Sequence, residues 1–392
     1  MDHRLAHLSG DQLNELVARY YTTRESVAAL MRAFGIEGRP SSFVSMLPLV
    51  VHDDLCCAFC EGQNLVSQHL SRDRFSGTSE PYCPSCGHRA DPRCTCAHCH
   101  GLATRQRTEI DRRKREVIGR VFVVPKEVER NPADLSLRDV VYLLALFRHS
   151  VSEDLSFAEP FAKRRIRLGP STEDTRRVVK HLWSKRLILV NPDSDTDAFI
   201  FNEDITDCPQ LYLDKVVWEF LPGQLTHEKR EFLSQLERLA RDGPWPDGWS
   251  DQFNALWHEI AKIECFEYYT YSLAERGYEL ETLGEKTHAV FDELLLDFSI
   301  GQVFNLTWQA VRDTTDYIVR ERLPKYHAKN SFIGALQRKA DKARAEGWTV
   351  RNSRRDFNCP QTVVSSVFFD VFAQVGSNAL EMVPPASAAS AA

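Results

Sequence analysis

The sequence lacks several features that would assign a location or an activity directly. It has no run of eighteen apolar residues, so a hydrophobic membrane-spanning helix of ordinary length is excluded. Its first residues, MDHRLAHLSGDQ, contain no apolar core of a secretory signal peptide. It contains no Walker lysine loop, no G-x-G-x-x-G and no G-x-S-x-G, and the start of an H-E-x-x-H motif at His258 fails because residue 262 is a lysine. These absences predict a cytoplasmic protein without a complete catalytic motif.

The sequence also lacks a uniform charge. The net charge is −6, which argues against a surface that is basic throughout. However, residues 201–300 hold 21 acidic and 8 basic residues, whereas residues 324–357 hold nine Lys and Arg against three acids. This asymmetry predicts local basic surfaces and an acidic block on which a protein partner can dock.

Cysteine, by contrast, is abundant in one place. Eight of the eleven cysteines fall between Cys56 and Cys99. Without an export signal, metal binding is favoured over a disulfide framework. Three C-x-x-C knuckles can each present two thiolates to one ion, which predicts one zinc ion and leaves enough ligands for a second. The candidate ligands are Cys57, Cys60, Cys83, Cys86, Cys94, Cys96, Cys99 and His100.

The spacing leaves the pairing of these ligands open. In a zinc-ribbon arrangement, the first two knuckles share one ion, and Cys94 joins the third knuckle with a fourth ligand from His88, His98, His100 or Cys56. In an interleaved arrangement, the second and third knuckles share an ion instead. An iron–sulfur cluster is a third interpretation, since thiolates suit both metals. Because the thiolates suffice to close every site, and no H-x-E precedes a P-C-x-x-C, a structural metal is favoured over a catalytic one.

The order of the predicted elements indicates a mainly α multidomain protein. A capping box at Ser9 and Gln12 marks the start of the first helix. A second helix, a glycine turn and a short third helix follow, which is the helix-turn-helix pattern. The predicted divisions are a helix-turn-helix-like unit at 1–50, a zinc-ribbon-like module at 51–103, a basic linking helix at 104–130, a winged-helix-like domain at 131–222, a helical C-terminal domain with a small β-rich end at 223–383, and a disordered tail at 384–392.

The winged-helix prediction supplies candidate nucleic-acid contacts. A helix capped by Ser171 should be followed by a hairpin of strands at 187–190 and 198–201. The predicted phosphate contacts lie on this helix, on the loop before it and on a basic helix near the C-terminus. They are Arg164, Arg165, Arg176, Arg177, Lys180, Arg338, Lys339 and Lys342. Aspartates in the hairpin turn would repel phosphates, so a winged helix used for protein contacts is the alternative.

Three weaker patterns remain in the C-terminal half. The segment RLPKYH, from Arg322 to His327, has the R-x4-H spacing and resembles the catalytic signature of HEPN-type ribonucleases; the resemblance implies that the Arg stabilises a phosphate and the His transfers protons. The carboxylate pairs Glu264/Glu267 and Asp313/Asp316 are predicted to be solvated helix faces. Three isolated cysteines, Cys208, Cys265 and Cys359, are predicted to be buried, with Cys359 the best placed to act as a nucleophile because of its neighbouring arginines.

These features together predict a zinc-containing protein that binds nucleic acid, with DNA favoured over RNA. A DNA-binding regulator or a component of a mobile-element or phage-defence system would combine such units. A HEPN-like ribonuclease using Arg322 and His327 is one alternative. A scaffold that docks proteins through its acidic 201–300 region is the other.

Overall fold

The computed structural model describes residues 2–72, 78–123, 130–152, 155, 157–161, 167–221, 225–280, 283–322 and 331–385. The chain is mainly helical with small antiparallel sheets, as the sequence predicts. It divides into two compact units, residues 1–113 and 114–392. Within the described ranges, every helix is too short or too polar to cross a membrane.

The first unit begins with three helices. They are α1 (Gly10–Thr22), α2 (Val27–Ala33) and α3 (Phe43–Met46), in the predicted order. The predicted capping box is present: Ser9 Oγ accepts from the backbone N–H of Gln12, and the Gln12 side chain accepts from the N–H of Ser9. Leu16, Leu30 and Phe43 are fully buried in a small core of their own. The helices are therefore held by packing as well as by their caps.

The cysteine-rich segment follows in the same unit. Strands β1 (Val50–Cys56) and β2 (Asn64–Ser67) form an antiparallel hairpin, in which His52 lies opposite Leu65. The N-terminal helices hold the end of this segment through Arg72, whose guanidinium donates to the backbone carbonyl of Glu25 at 2.7 Å. The described part of the segment buries four apolar side chains: Cys57, Leu65, Val66 and Cys83. So small a core cannot hold the segment by the hydrophobic effect alone.

Helix α4 (Ala97–Val121) begins inside the cysteine-rich segment and crosses the boundary between the two units. It corresponds to the basic linking helix predicted for residues 104–130, although residues 124–129 lie outside the described ranges. Most of the helix is exposed, and only Val117 and Ile118 are buried. Its solvated, charged character is therefore confirmed up to its last two turns.

The second unit begins with a small sheet between helices. Along the chain come α5 (Leu137–Ser150), β3 (Phe157–Ala158), α6 (Thr172–Ser184), β4 (Ile188–Val190), β5 (Phe199–Ile200), β6 (Gln210–Leu211) and β7 (Trp218–Phe220). The predicted hairpin between 187–190 and 198–201 is wrong. Strand β4 pairs with β7, which also pairs with β3, whereas β5 pairs with β6. The buried Trp218 and Phe220 place β7 in the core. Strand β4 therefore pairs with β7, although β5 is nearer to it in the sequence.

The remaining helices surround one large apolar core. They are α7 (Thr226–Asp242), α8 (Trp249–Ala274), α9 (Glu285–Asp297), α10 (Ile300–Arg320) and α11 (Ser331–Ala345). The helical sequence is interrupted between two of these helices, because α9 ends at Asp297 and Ser299 caps α10. Helix α8 lies against both α9 and α10, and α10 packs on α11. This arrangement buries most of the circumference of α8, as the consecutive buried residues Glu267, Tyr268 and Tyr269 show.

The predicted β-rich end is wrong. Residues Val363–Ser366 form α12, which continues as a π-helix over Val367–Phe372. A short run of valine and phenylalanine suits a strand and a buried helix equally well in sequence. Here the run packs against α5, α7 and α8, where Phe368 and Phe369 fill the core from a helical backbone. Tertiary packing therefore overrides the β propensity of these residues.

Candidate functional site

The first candidate metal centre consists of four cysteines. The sulfurs of Cys57, Cys60, Cys83 and Cys86 all lie within 4.8 Å of one another, with Cys57 and Cys86 3.6 Å apart. Four sulfurs at 2.3 Å from one zinc ion would lie about 3.8 Å apart, so a small movement would close a tetrahedron. The β1–β2 hairpin presents the first pair, and the chain that follows bridges back to β2 and presents the second. This is the zinc-ribbon pairing of the two alternatives.

The second candidate centre combines three cysteines with a histidine. Cys94, Cys96 and Cys99 group with His88, again within 4.8 Å of one another. The Nδ1 atom of His88 lies 3.3 Å from Cys99 Sγ and 3.8 Å from Cys96 Sγ. Cys99 lies in the first turn of α4, so this group also holds the start of that helix. Both groups can hold a metal ion and are compatible with zinc.

The histidine of the second group is His88, one of the three histidines that the sequence spacing allowed as the fourth ligand. The predicted ligand His100 lies in the first turn of α4 and does not belong to the group. His98 stacks on the ring of Phe59, with centroids 4.9 Å apart. The chain reverses after Cys86, and the backbone N–H of Cys83 donates to the carbonyl of His88 at 2.7 Å. That reversal brings His88 to the second group, and sequence spacing does not encode it.

The thiols of each group favour a bound cation. Backbone N–H groups of Arg89 and Cys96 donate to Cys94 and lower the pKa of its thiol to about 6. Burial and the neighbouring thiols raise the pKa of Cys99 to about 12. Four close sulfurs cannot all ionise, because like charges repel. A divalent ion removes this conflict by neutralising the thiolates that it binds.

The predicted cationic face of α6 is exposed. Val178, Val179 and Leu182 point into the core, while Arg176, Arg177 and Lys180 lie on the solvent side, as predicted. His181 holds the helix to α5 by a 2.6 Å contact between its Nε2 and Asp139 Oδ1. Among the described residues, the ion pairs of these exposed arginines lie within the helix, Arg177 with Asp174 at 2.9 Å and Arg176 with Glu173 at 3.9 Å. Such pairs stabilise a fold little and exchange readily for phosphate.

The predicted cations on α11 are in a different situation. Lys339 Nζ contacts Asp313 at 2.8 Å, and Lys342 contacts Glu346 at 3.8 Å. Arg338 is exposed. Asp313 of α10 and Glu346, which follows α11, therefore neutralise the charges of Lys339 and Lys342. Arg164 and Arg165 lie outside the described residues.

The ribonuclease-like pair is only partly described. Arg322 is exposed, follows the C-terminal end of α10 and adopts a left-handed conformation, with φ of 53°. His327 lies outside the described residues. The resemblance to HEPN-type ribonucleases therefore stays a prediction.

The two carboxylate pairs of the C-terminal half differ sharply. Asp313 and Asp316 are solvated, as predicted, and Asp313 pairs with Lys339 and Arg312. For Glu264 and Glu267 the prediction of a solvated face is wrong, since their side chains are 1% and 4% exposed. Both lie on the core side of α8, which sequence periodicity cannot distinguish in a helix that is buried over most of its circumference.

Arginines from outside α8 pair with these buried glutamates. Arg355 contacts Glu264 Oε2, and Arg167 contacts Glu267 Oε1. Burial, followed by the charge of Glu264, raises the pKa of Glu267 to about 7. Buried ion pairs repay their desolvation only with good partners, so such a cluster next to a cavity marks a candidate site.

The three isolated cysteines are buried, as predicted. A nucleophilic role for Cys359 is contradicted by its surroundings. Burial, and then the charge of Glu267, raises the pKa of the Cys359 thiol to about 12. The neighbouring Arg355 is engaged by Glu264 and does not offset this effect. At neutral pH the thiol is therefore protonated and a poor nucleophile.

A cleft follows one side of α8 next to Glu267. A cavity of about 1070 Å³ lies between α8, the start of α6 and the start of α9, and a second of about 410 Å³ lies beside it toward Cys359. Pro170, Glu267, Thr270 and Leu280 line both. Sequence reasoning missed this cleft, because its walls come from segments that are distant in the sequence, such as those of Arg177 and Ala255. The two glutamates on α8 were the only available signal.

Comparison with protein-family models found no match. Comparisons with curated proteins and with solved structures found no similar protein either. The function must therefore be inferred from the sites themselves.

Proposed function

We propose that this chain is a zinc-containing DNA-binding protein that contacts DNA through α6, with its two metal groups in a structural role. The observation that carries the proposal is the exposed cationic face of α6, set on a helix whose other face is fixed in the core. Arg176, Arg177 and Lys180 lie on that face, and the exposed Lys185 and Arg186 follow directly. Cations on one face of a helix can contact phosphates while the helix lies in a major groove.

The topology around α6 supports a winged-helix interpretation. Helix α5 precedes β3, α6 lies between β3 and β4, and the three-stranded sheet has the order β3–β7–β4. In a winged helix the helix before the last two strands is the one that reads DNA. The residues between β4 and β7, 191–217, form the wing in this interpretation.

Cations of α4 lie next to the acidic wing and partly compensate its negative charge. Residues 191–217 contain seven acids and one lysine. Arg115 of α4 donates to the carbonyl of Ser194 at 2.7 Å, Arg120 donates to the carbonyl of Thr206, and the Lys114 ammonium lies 5.4 Å from the centre of the Phe201 ring. These cations reduce the repulsion between the wing and a DNA backbone.

The zinc assignment follows from the ligands. Four thiolates in one group, and three thiolates with one imidazole in the other, are the donor sets of structural zinc sites. Neither group needs a water molecule to complete four ligands. The metals would hold the hairpin, the returning chain and the start of α4 together, with no catalytic step.

A salt series tests the proposal. Binding to mixed-sequence duplex DNA, single-stranded DNA and RNA should be measured as log K against log salt for the wild type and for R176E/R177E/K180E. The expected result is duplex binding whose affinity falls steeply with salt, and a slope reduced by about three in the variant, since each lost phosphate contact removes about 0.9. The matched control is R230E/R238E/R241E, which changes three exposed cations of α7. Equal effects of the two variants, or no binding at any salt, would contradict the proposal, and the second result would favour the scaffold alternative.

A further inference from the structure

The two candidate metal groups are joined through one turn of the backbone. Gly87, which follows the second knuckle, adopts a left-handed conformation with φ of 72°, and its N–H donates to the carbonyl of Cys83 at 2.8 Å. The N–H of Cys83 in turn donates to the carbonyl of His88 at 2.7 Å. Cys83 belongs to the first group, whereas the His88 imidazole belongs to the second. The same turn therefore positions residues of both groups.

Phe59 forms a second link between the groups, through its side chain. It lies in the first knuckle, where its backbone N–H donates to Cys57 Sγ at 3.4 Å. Its ring meets the ring of His88 edge-on, with centroids 4.8 Å apart, and stacks on the ring of His98 at 4.9 Å with an angle of 9° between the planes. His98 lies within the third knuckle. Phe59 is thus bound to the first group by its backbone and packed on the second by its ring.

These contacts require both groups to be ordered at the same time. Because the described part of the cysteine-rich segment buries only four apolar side chains, metal ligation would be the main restraint on either group. An ion in the first group would fix the backbone of Phe59, and an ion in the second would fix the imidazole of His88, on which the ring packs. The first ion to bind therefore orders part of the other group and reduces the entropy that the second ion must remove.

The ring contacts also set the size of this coupling. One aromatic contact changes an equilibrium constant by a factor of about 2 to 12. Two contacts that form only when both groups are ordered give a factor of about 5 to 150. This range is also the one usually found for coupling between two binding sites.

We propose that the two metal groups fill with zinc as a coupled pair, and that Phe59 is the residue that couples them. Binding of either ion raises the affinity for the other about 5- to 150-fold. The cysteine-rich segment then changes between a metal-free and a fully loaded state over a narrow range of free zinc concentration. The proposal rests on the zinc assignment of the proposed function and is independent of DNA binding.

Native mass spectrometry of the full-length protein tests the coupling. Metal-free protein should be equilibrated at a series of free zinc concentrations set by a chelator, and the chains with zero, one and two ions counted. Independent sites of any affinities leave at least about one half of the chains with a single ion at half-saturation, so a smaller fraction arises only from coupling. A fraction below one half is the expected result.

Variants that keep one complete group give the affinity of each group alone. Cys60→Ser removes a thiol of the first group, and Cys94→Ser removes one of the second. The overall constant for binding two ions to the wild type should exceed the product of the two single-group constants by about 5- to 150-fold. By reciprocity, this factor is the same whichever ion binds first.

Ring variants test the role of Phe59. Phe59→Ala should reduce the coupling at least about fivefold, and His98→Ala, which removes only the stacked partner, should reduce it about 2- to 12-fold. Phe59→Tyr keeps the ring and should keep the coupling. The matched control is His100→Ala, because His100 is also an exposed histidine in the first turn of α4 and lies outside both groups. All four variants should still bind two ions at saturating zinc.

The outcomes separate this proposal from the proposed function. If the wild-type constant for two ions equals the product of the single-group constants, the coupling is wrong, whereas the zinc assignment and the α6 proposal stand. If coupling is present but Phe59→Ala and His98→Ala leave it unchanged, Phe59 is not the link and the proposal is overturned. If the protein binds no zinc, or holds an iron–sulfur cluster instead, the zinc assignment and the coupling both fail, while the salt series on α6 is unaffected.

Discussion

The cysteine-rich segment and the helical core of the second unit are stabilised in different ways. The described part of the segment buries four apolar side chains, of which Cys57 and Cys83 are candidate ligands, whereas the second unit buries a contiguous core that includes Trp218, Phe291 and Phe368. Apolar burial contributes roughly 25 cal/mol per Å², so it can hold the second unit but not the segment. The comparison indicates that bound metal would replace the hydrophobic effect where the chain is too short to form a core.

Metal removal should have the largest effect, and only on the first unit. Structural zinc contributes on the order of 10 kcal/mol to the folding of small domains. A chelator should therefore unfold residues 57–99, detected by hydrogen exchange, while the second unit keeps its melting temperature. Cys83→Ser should reduce the bound metal by one ion per chain, and Cys208→Ser, at a buried cysteine outside both groups, should not. Unchanged exchange in the chelator would show that the segment folds without metal.

A truncation in the core of the second unit should destabilise that unit and leave the metal groups of the first unit unchanged. Trp218 is fully buried in β7 and contacts Trp183. Trp218→Ala should lower the free energy of unfolding of the second unit by about 3–5 kcal/mol, through lost burial and the cavity left behind. Metal content, measured by elemental analysis, should not change. Trp348→Ala, at a partly exposed tryptophan, should cost less than about 1 kcal/mol. A loss of metal from Trp218→Ala would argue against independent stabilisation of the two regions.

The charged cluster on α8 should make the second unit pH-sensitive. Burial raises the pKa of Glu267 from 4.5 to about 7, so the folded state binds a proton that the unfolded state releases within this range. The contribution is present below pH 4.5 and is lost as the pH rises through 7. Relative to Glu267→Gln, the wild type should therefore lose about 3 kcal/mol of unfolding free energy across this window.

Denaturant unfolding at several pH values measures this difference. Glu279→Gln, an exposed residue of the same cavity wall, is the control. Its effect should stay within about 0.5 kcal/mol, as for most surface substitutions. A wild-type curve parallel to that of Glu267→Gln would show that this carboxyl does not titrate in the window.

Two glycine substitutions should give smaller effects of opposite sign. A Cβ at Gly301 would lie 2.8 Å from the Leu380 carbonyl and 3.0 Å from that of Ser353, so Gly301→Ala should destabilise the second unit by about 1–3 kcal/mol. Gly119, inside α4, has open space at the same position, and Gly119→Ala should stabilise by roughly 0.5–1 kcal/mol. Thermal unfolding measures both. Destabilisation by Gly119→Ala would mean that α4 is more closely packed than its exposure indicates.

Elements defined by a few neighbouring residues were predictable from the sequence. The capping boxes at Ser9 and Ser299 and the cap at Ser171 lie where helices begin. The C-x-x-C knuckles likewise bring their two sulfurs together without help from the rest of the chain. Such features depend on spacing of three or four residues, and spacing is visible in a sequence.

Pairings between distant segments were not predictable. Strand β4 pairs with β7 across an insertion, and the chain after Phe357 reaches Glu267 on α8. The seven cysteines of the two candidate metal groups, the helix starts and the exposed basic face of α6 could be read from the sequence. Only the tertiary structure decided which ligands share an ion, that His88 completes the second group, and that Glu267 is buried beside a cavity. The physical reason is that local geometry needs only adjacent residues, whereas burial depends on everything that packs around a side chain.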